Sequence, residues 1–210
     1  MKAPLLLLVL APLAAPLAFA AETIEAFGLK WSVPIAADWK VEKDGGEEVL
    51  RMMVARPQEK PRRPSQFALA ETPDYQRVTV EADVKRLGKS LIIVFAYGDE
   101  SHFNYAHLSS DRGTDQPVHN GVFHVYGGDR VRISPELGPA SIPSADEWYH
   151  VRLTHDASTG IVTVAVNGKE IPALNAVDLS LGPGRVGIGS FFETALFKNV
   201  TITGTPASTK

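Results

Sequence analysis

The chain beyond residue 20 is dominated by short segments in which apolar and polar residues alternate. In residues 78–85, for example, Val78, Val80, Ala82 and Val84 are separated by polar side chains. Successive side chains of a strand point to opposite faces, so a period of two predicts half-buried β-strands. Beyond residue 20, no window has the sustained i, i+3, i+4, i+7 apolar spacing of an amphipathic helix. The chain is therefore predicted to be mostly β.

Clusters of Gly, Asp, Asn and Pro predict where these strands turn. The predicted hairpins pair 39–42 with 49–54, 91–97 with 102–108, and 122–126 with 130–133. Further strands are predicted at 148–154, 161–166, 185–191 and 195–203. Residues 56–64 contain too many prolines to pair in a sheet and are predicted to form a surface connection. So many strands without crossover helices indicate two antiparallel sheets rather than an α/β fold.

The more apolar side of each predicted strand supplies the expected core between the sheets. Its representatives are Val80, Ala82, Ile93, Phe95, Val151, Leu153, Val164 and Ile188. The aromatic residues expected in the core are Trp148, Phe191, Phe192 and Phe197. His150 and His155 are expected at the surface or as capping residues.

Composition excludes several classes of protein. The 210 residues contain no cysteine, so disulfides, thiolate zinc sites and cysteine nucleophiles are excluded. The formal net charge is −3 and the charges form no long blocks, which argues against nucleic acid or an anionic membrane as the partner.

The first twenty residues have the pattern of a secretory signal peptide. Lys2 is followed by a leucine-rich apolar stretch and by Ala18-Phe19-Ala20, the small-x-small motif that signal peptidase reads. Three prolines interrupt the stretch, so we expect no membrane span in the mature form. We therefore predict a signal peptide at 1–20, a single domain at 21–210, and a secreted or periplasmic location. Removing Lys2 leaves 20 basic and 24 acidic residues, a net charge of −4.

The order of motifs resembles that of the concanavalin A-like lectin and glucanase superfamily, which includes the laminin G-like domains. The segments that carry the resemblance are DWKV (38–41), VEADV (80–84), HFNYAHL (102–108), WYHVRL (148–153), VAVNG (164–168), GRVGIGS (184–190) and FKNV (197–200). The resemblance implies a jelly-roll β-sandwich. Within the superfamily the chain looks most like secreted bacterial domains named for 3-keto-disaccharide hydrolysis, which act as 3-keto-glycoside lyases or hydratases.

A retaining glucanase is not expected. Such enzymes need two closely spaced carboxylates on one strand face, commonly within a Glu-x-Asp-x-x-Glu motif. Here Glu81 and Asp83 are followed by Val84, Lys85 and Arg86, so the third acid is missing. We interpret this segment as an exposed, charged strand face.

Two pairs of polar residues are the strongest candidates for a site. Tyr105 and His107 share one face of their strand, as do His124 and Tyr126 of theirs. If the strands are neighbours, we expect all four side chains on one concave sheet face, with Ala106, Leu108, Phe123 and Val125 turned to the core. The remaining candidate ligand-binding residues are His119, Asn120, Arg130 and Arg132.

These residue types suit a carbohydrate. A tyrosine ring can lie against the apolar face of a sugar, and histidine titrates near neutral pH. We expect glycan binding at this face. One alternative is a glycoside lyase or hydrolase with Tyr105, His107, His124 and Tyr126 as catalytic residues and Arg holding an anionic intermediate. Others are a laminin G-like protein-recognition module, or purely structural roles for these residues.

No cofactor is expected to be required, and no spacing fixes a metal site. The residue types that zinc or manganese would accept are present as His107, Asp111, His119 and His124, without a tight motif. The resemblance favours calcium as an optional ion. Its candidate loop ligands are Asp99, Glu100, Asp111, Asp115 and Asp129.

The signal-peptide hypothesis predicts that the exported protein begins at Ala21. N-terminal sequencing of the protein recovered from the periplasm or medium of a producing cell checks this. A mature product that retains the leucine-rich segment would contradict the predicted location.

Overall fold

The computed structural model describes residues 21–57, 60–116 and 118–208, so the predicted signal peptide lies outside the described residues. Within them the chain forms sixteen β-strands and two short 3-10 turns, Ala36–Asp38 and Pro172–Leu174. No helix in this part of the chain has the length and hydrophobicity needed to cross a bilayer. The all-β prediction is confirmed.

Eight strands form the front sheet. They are β1 (Glu22–Ala26), β2 (Leu29–Val33), β5 (Phe67–Ala70), β7 (Ser90–Asp99), β8 (His102–Ser109), β9 (Gly121–Tyr126), β10 (Val131–Arg132) and β15 (Arg185–Gly189). Their spatial order is β1-β2-β5-β15-β7-β8-β9-β10, and every pairing is antiparallel. The hairpins predicted around β7 to β10 are confirmed.

The other eight strands form the back sheet. They are β3 (Trp39–Asp44), β4 (Glu47–Met52), β6 (Tyr75–Arg86), β11 (Tyr149–Asp156), β12 (Ile161–Val166), β13 (Lys169–Glu170), β14 (Ala176–Val177) and β16 (Ala195–Pro206). The order is β13-β12-β11-β6-β16-β4-β3, with β14 also paired to β12. Two stacked antiparallel sheets confirm the predicted sandwich.

The main core lies between the sheets. All eight representative core residues predicted from the alternation are at most 1% exposed, which confirms them. Phe197 also lies in this core. Trp148 is instead half-buried on the back sheet, where the Lys198 ammonium lies 4.8 Å from its ring centre.

The front sheet has a second buried cluster, on its outer face. Along β7, Leu91, Ile93 and Phe95 point into the main core while Ile92 and Val94 belong to the second cluster. A strand buried on both faces has a continuous apolar run rather than an alternating one, which explains the sequence of residues 91–95. The outer face of the front sheet is therefore an apolar surface and not simply a solvated one.

The charged strand face predicted at Glu81 and Asp83 is confirmed on the back sheet. Asp83 accepts a hydrogen bond from Asn199 at 2.9 Å and lies 2.9 Å from the Nδ1 atom of the exposed His150. Glu81 lies 3.5 Å from Nε of Arg152. These acids pair with neighbouring strands, as expected for a surface ladder.

The expectation that His155 lies at the surface is wrong. Its side chain points into the sandwich, is 2% exposed and lies 4.9 Å from Phe95, measured between ring centres. Burial disfavours the imidazolium and lowers the pKa of His155 to about 4. The register of β11 explains the position, because His155 lies on the same face as Val151 and Leu153.

Truncation of Phe95 tests the main core. Phe95→Ala is expected to lower the free energy of unfolding by about 3 to 5 kcal/mol, since it leaves a cavity between the sheets. Urea denaturation measures the loss. The exposed Val41→Ala on β3 is the control and should change stability by less than about 0.5 kcal/mol. Similar values for the two variants would contradict the assigned core.

His155 is expected to make the fold sensitive to acid. The unfolded chain takes up a proton at His155 near pH 6.5, whereas the folded chain does so only near pH 4. Stability is therefore expected to fall by roughly 2 to 3 kcal/mol as pH drops through this window. Urea denaturation at several pH values should show a smaller loss in His155→Gln. The exposed His150→Gln is the control, and an equal loss in all three proteins would contradict the assignment.

Candidate functional site: a cleft on the outer face of the front sheet

The outer face of the front sheet carries a continuous group of aromatic rings. The cluster contains Phe67, Leu69, Ile92, Val94, Tyr97, Phe103, Tyr105, Phe123, Val125 and Phe191, with Phe192 packed against it. Tyr97 reaches this face because Ala96 has a φ of +49° and the ladder between β7 and β8 shifts register beyond Phe95. A β-bulge of this kind redirects the side chains that follow it.

Arg130 lies over this aromatic group. Its guanidinium carbon is 4.5 Å from the ring centre of Phe123 and 4.1 Å from that of Phe191. Its Nη1 atom donates to the Tyr105 hydroxyl at 2.9 Å and to His107 Nδ1 at 3.2 Å. These contacts fix the plane of the guanidinium against the sheet.

Tyr105 and His107 are 0% and 1% exposed. Burial raises the pKa of the Tyr105 hydroxyl. Burial, with Arg130 and His119 nearby, lowers the pKa of His107 well below its ordinary value, so the imidazole is neutral. Because Nδ1 accepts from Arg130, the ring proton lies on Nε2, which has no hydrogen-bond partner among the described residues. The Tyr105 hydroxyl and the His107 imidazole thus both accept hydrogen bonds from Arg130.

The expected convergence of the two Tyr/His pairs on one face is wrong. In the ladder between β8 and β9, Tyr105 pairs with Phe123 and Asn104 pairs with His124. Directly opposed residues share a face, so His124 and Tyr126 lie on the side of the sheet opposite to Tyr105. Phe123 and Val125, expected in the main core, belong to the outer cluster instead. Both faces of β9 are apolar at these positions, so alternation alone could not orient the strand.

His124 and Tyr126 form a separate group at the edge of the inner face. His124 Nδ1 lies 2.8 Å from Asn104 Oδ1 and 3.1 Å from Asp178 Oδ2. Burial alone would raise the pKa of Asp178, but hydrogen bonds from Ser180 and Asn104 outweigh it and lower that pKa. The Tyr126 ring stacks on His124 and is 62% exposed. This network ties the loop after β14 to the front sheet.

The remaining predicted residues have mainly local partners. Arg132 donates to the backbone carbonyls of Ser134, Asn120 and Glu136 and so holds a loop. Asn120 is 0% exposed, and its side chain donates to the carbonyl of Pro139 and accepts from Ser141. Asn120 is buried in the loop, whereas Arg132 is paired with Phe123 and therefore lies on the outer face.

His119 is half-buried next to His107. Its Nδ1 atom lies 2.6 Å from Asp111 Oδ2, and its ring centre is 5.7 Å from that of His107. Metal-ligating side chains do not converge here or elsewhere in the described ranges, where no group of three or more His, Cys, Asp or Glu could hold an ion. The residues considered for zinc, manganese or calcium form no such group within the described ranges.

A proline-rich segment, described at residues 53–57 and 60–66, crosses the outer face and is largely exposed there, as predicted for residues 56–64. Its two ends meet at Asp38, which accepts from Arg56 Nε at 2.5 Å, from Arg56 Nη2 at 2.7 Å and from Gln66 Nε2 at 2.9 Å. The Arg56 hydrogen bonds hold the pKa of the Asp38 carboxyl below its ordinary value. Further along, the carbonyl of Arg62 accepts from the Arg130 N–H at 2.9 Å. The segment is thus anchored at its two ends, through Arg56 and Gln66, and between them through Arg62.

A cleft of about 720 Å³ lies between this segment and the loop after β15. We call it the Phe192 cleft; its lining residues are Ala55, Arg56, Pro57, Lys60, Arg62, Asp129 and Phe192. Phe192 has a φ of +69°, a strained conformation for a bulky side chain, and its ring packs 4.1 Å from that of Phe191. The fold thus holds a half-buried aromatic ring at the wall of a polar cleft.

A second cleft, of about 470 Å³, lies at the other side of the proline-rich segment. Phe67, Leu69 and Tyr97 of the front sheet line it together with Glu100. The guanidinium carbon of Arg185 lies 5.2 Å from the centre of the Tyr97 ring. Both clefts therefore open on the outer face of the same sheet.

Sequence reasoning missed most of the residues that line the Phe192 cleft. Lys60 and Arg62 lie in a segment interpreted only as a connection, and Phe192 was expected in the core. The adjacent Arg130, in contrast, was a candidate from the outset. The cluster of basic residues among the prolines of 56–64 was the available signal for a functional segment.

No protein-family model and no curated protein matches this chain. Among solved structures, carbohydrate-binding module CBM66 from Bacillus subtilis matches with a TM-score of 0.59 at 14% identity, covering 83% of this chain and 95% of the module. A candidate glycosyl hydrolase from Parabacteroides distasonis matches with a TM-score of 0.53 at 16% identity, over 81% of this chain and 91% of its own. A sialidase matches with a TM-score of 0.52 at 13% identity, over 83% of this chain and 17% of the enzyme.

At these identities the likeness concerns the fold. Two of the matched structures are covered almost end to end, so the similarity extends over the whole sandwich. The described part of the chain is a sandwich of two antiparallel sheets, and its fold is similar to that of these proteins.

Proposed function

We propose that the protein is an exported glycan-binding domain and that the Phe192 cleft is its binding site. The observation that carries the proposal is the Phe192 ring, held at a positive φ beside charged side chains. Backbone strain in a bulky residue is retained where the surrounding structure enforces it, and such positions cluster at ligand sites. Export rests on the signal-peptide pattern of residues 1–20.

The chemistry of the cleft suits a sugar. An aromatic ring can pack against the C–H face of a pyranose, while Arg62 and Lys60 donate to hydroxyl oxygens and Asp129 accepts from hydroxyl groups. The volume of about 720 Å³ is within the usual range for small-ligand pockets. An apolar ring and polar groups of both kinds are therefore available on one surface.

The structural neighbours support the same ligand class. One is named as a carbohydrate-binding module and another as a candidate glycosyl hydrolase, and each aligns over most of its length. Fold likeness alone does not carry a function, so the proposal depends on the residues of the cleft.

The geometry favours binding over lyase or hydrolase chemistry. A general base must reach the proton that it removes, yet Tyr105 and His107 are buried beneath Arg130 and its aromatic neighbours. The raised pKa of Tyr105 and the lowered pKa of His107 keep both groups neutral. In this proposal they position Arg130 and do not touch the sugar.

Removal of the Phe192 ring tests the proposal. Phe192→Gly deletes the ring, and glycine adopts the local φ of +69° without strain, so the fold should remain intact. Affinity for the glycan that binds best on an array is expected to fall about tenfold or more, measured by isothermal titration calorimetry. Phe192→Tyr keeps a ring and should bind within about threefold of the wild type.

Trp148→Ala removes an aromatic ring from the back sheet and is the matched control. It should leave affinity unchanged. Wild-type affinity in Phe192→Gly, or failure of every glycan on the array to bind, would overturn the proposal. Release of unsaturated or reducing sugar during the same incubations would favour the lyase or hydrolase alternative. Binding only to a protein ligand would favour the recognition-module alternative.

A further inference from the structure

We infer that the glycan bound in the Phe192 cleft is acidic, and that Arg130 with Lys60 and Arg62 recognises a sugar carboxylate. This inference rests on the proposed function of the cleft. It starts from Arg130, whose guanidinium is half-buried and has no carboxylate within ion-pair distance in the described part of the chain. Its contacts are two aromatic rings, a tyrosine hydroxyl and a neutral imidazole.

A partly buried cation without an anion is a costly arrangement in a folded protein. The surrounding medium is less polar than water, so the attraction between this guanidinium and an anion is stronger than at an open surface. The planar fork of arginine matches a carboxylate in two parallel hydrogen bonds, and the Phe123 and Phe191 rings hold that plane fixed. Arg130 is thus suited to an anionic ligand group.

Three links connect Arg130 to residues that line the cleft. Its backbone N–H donates to Arg62, it follows Asp129 in the chain, and the Phe191 ring beneath it packs on Phe192. Arg130 does not itself line the cleft, but it contacts residues that do, so we expect a ligand that extends beyond Phe192 to reach its guanidinium.

Three of the four charged residues that line the described part of the cleft are basic. Of its lining cations, Arg56 is neutralised by Asp38, whereas Lys60 and Arg62 are exposed and have no salt bridge to a described residue. Asp129 is the acid at the rim, and its Oδ1 accepts from the Arg62 backbone N–H at 2.6 Å. The positive cleft contrasts with the formal net charge of −3 for the whole chain. The chain as a whole carries an excess of acids, so attraction of an anion depends on local groups of basic residues such as this one.

His107 supplies an independent observation beside the same guanidinium. Its Nε2–H is buried and has no acceptor among the described residues, although Nδ1 is paired with Arg130. Buried donors are nearly always satisfied, so an unsatisfied one next to an unpaired cation indicates a missing acceptor. A water molecule that is hydrogen-bonded to the ligand carboxylate would supply it, without contact between His107 and the sugar.

The decisive experiment compares an acid with its own ester. Oligogalacturonate, oligoglucuronate and oligomannuronate are titrated by calorimetry against the same oligomers with methyl-esterified carboxyl groups. At least one acid is expected to bind about tenfold or more tightly than its ester, and the preference should shrink as salt is raised from 0.05 to 0.5 M.

Variants assign the effect to residues. Lys60→Gln and Arg62→Gln should each weaken binding of the acid about two- to fivefold, and should weaken binding of the acid more than binding of the ester. Arg130→Lys keeps the charge but loses the planar fork, and should weaken acid binding about tenfold. Lys169→Gln, an exposed lysine on the back sheet, is the charge-matched control and should have no effect. Thermal unfolding confirms that each variant is folded.

The outcomes separate the two proposals. If an ester or another neutral glycan binds as tightly as the acids and Phe192→Gly abolishes that binding, the proposed function stands and the acidic specificity is overturned. Tighter binding of sulfated than of carboxylated oligomers would also overturn the assignment to a carboxylate. If no glycan binds, both proposals fail.

Discussion

Packing of aromatic and aliphatic side chains on the outer face of the front sheet gives β7 and β8 a second buried surface. The inner face contributes to the core between the sheets, and the outer face carries the rings around Tyr105 and Phe123. Those rings form the base on which the Arg130 guanidinium lies, and Arg130 in turn holds the proline-rich segment through the Arg62 carbonyl. The wall of the Phe192 cleft therefore depends on the apolar packing of the outer cluster beneath Arg130.

Much of the fold was predictable from alternation and turn residues. The β7–β8 and β9–β10 hairpins and core residues such as Phe95 follow from the local pattern. A strand buried on one face alternates between apolar and polar residues, and a strand buried on both faces is continuously apolar. The strands β1, β2 and β5 were missed. They are only four or five residues long, too short for a clear period, and β2 and β5 also pair with strands that are distant in the sequence.

The site was less predictable, for physical reasons that particular residues illustrate. The face of His124 depends on the register between β8 and β9, and a one-residue shift would exchange it with Phe123. The outward turn of Tyr97 depends on the bulge at Ala96, a non-glycine residue without a local signal. Phe192 was expected in the core because it is apolar, but its backbone conformation is set by the tertiary packing of the loop after β15. Arg130, in contrast, was identified from the sequence as a candidate ligand-binding residue, and it lies next to the cleft.

The hydrogen bonds of Asp38 to Arg56 and Gln66 affect the free energy of ligand binding. One buried carboxylate binds Arg56 and Gln66, so the two ends of the proline-rich segment are held together, and the prolines within it restrict the backbone further. A ligand that binds against a segment held in this way does not have to order it, so the entropic penalty of association is small. Preorganisation of this kind lets a shallow surface with few contacts reach useful affinity. The Asp38 carboxylate that achieves it does not line the cleft and directly precedes β3 of the back sheet.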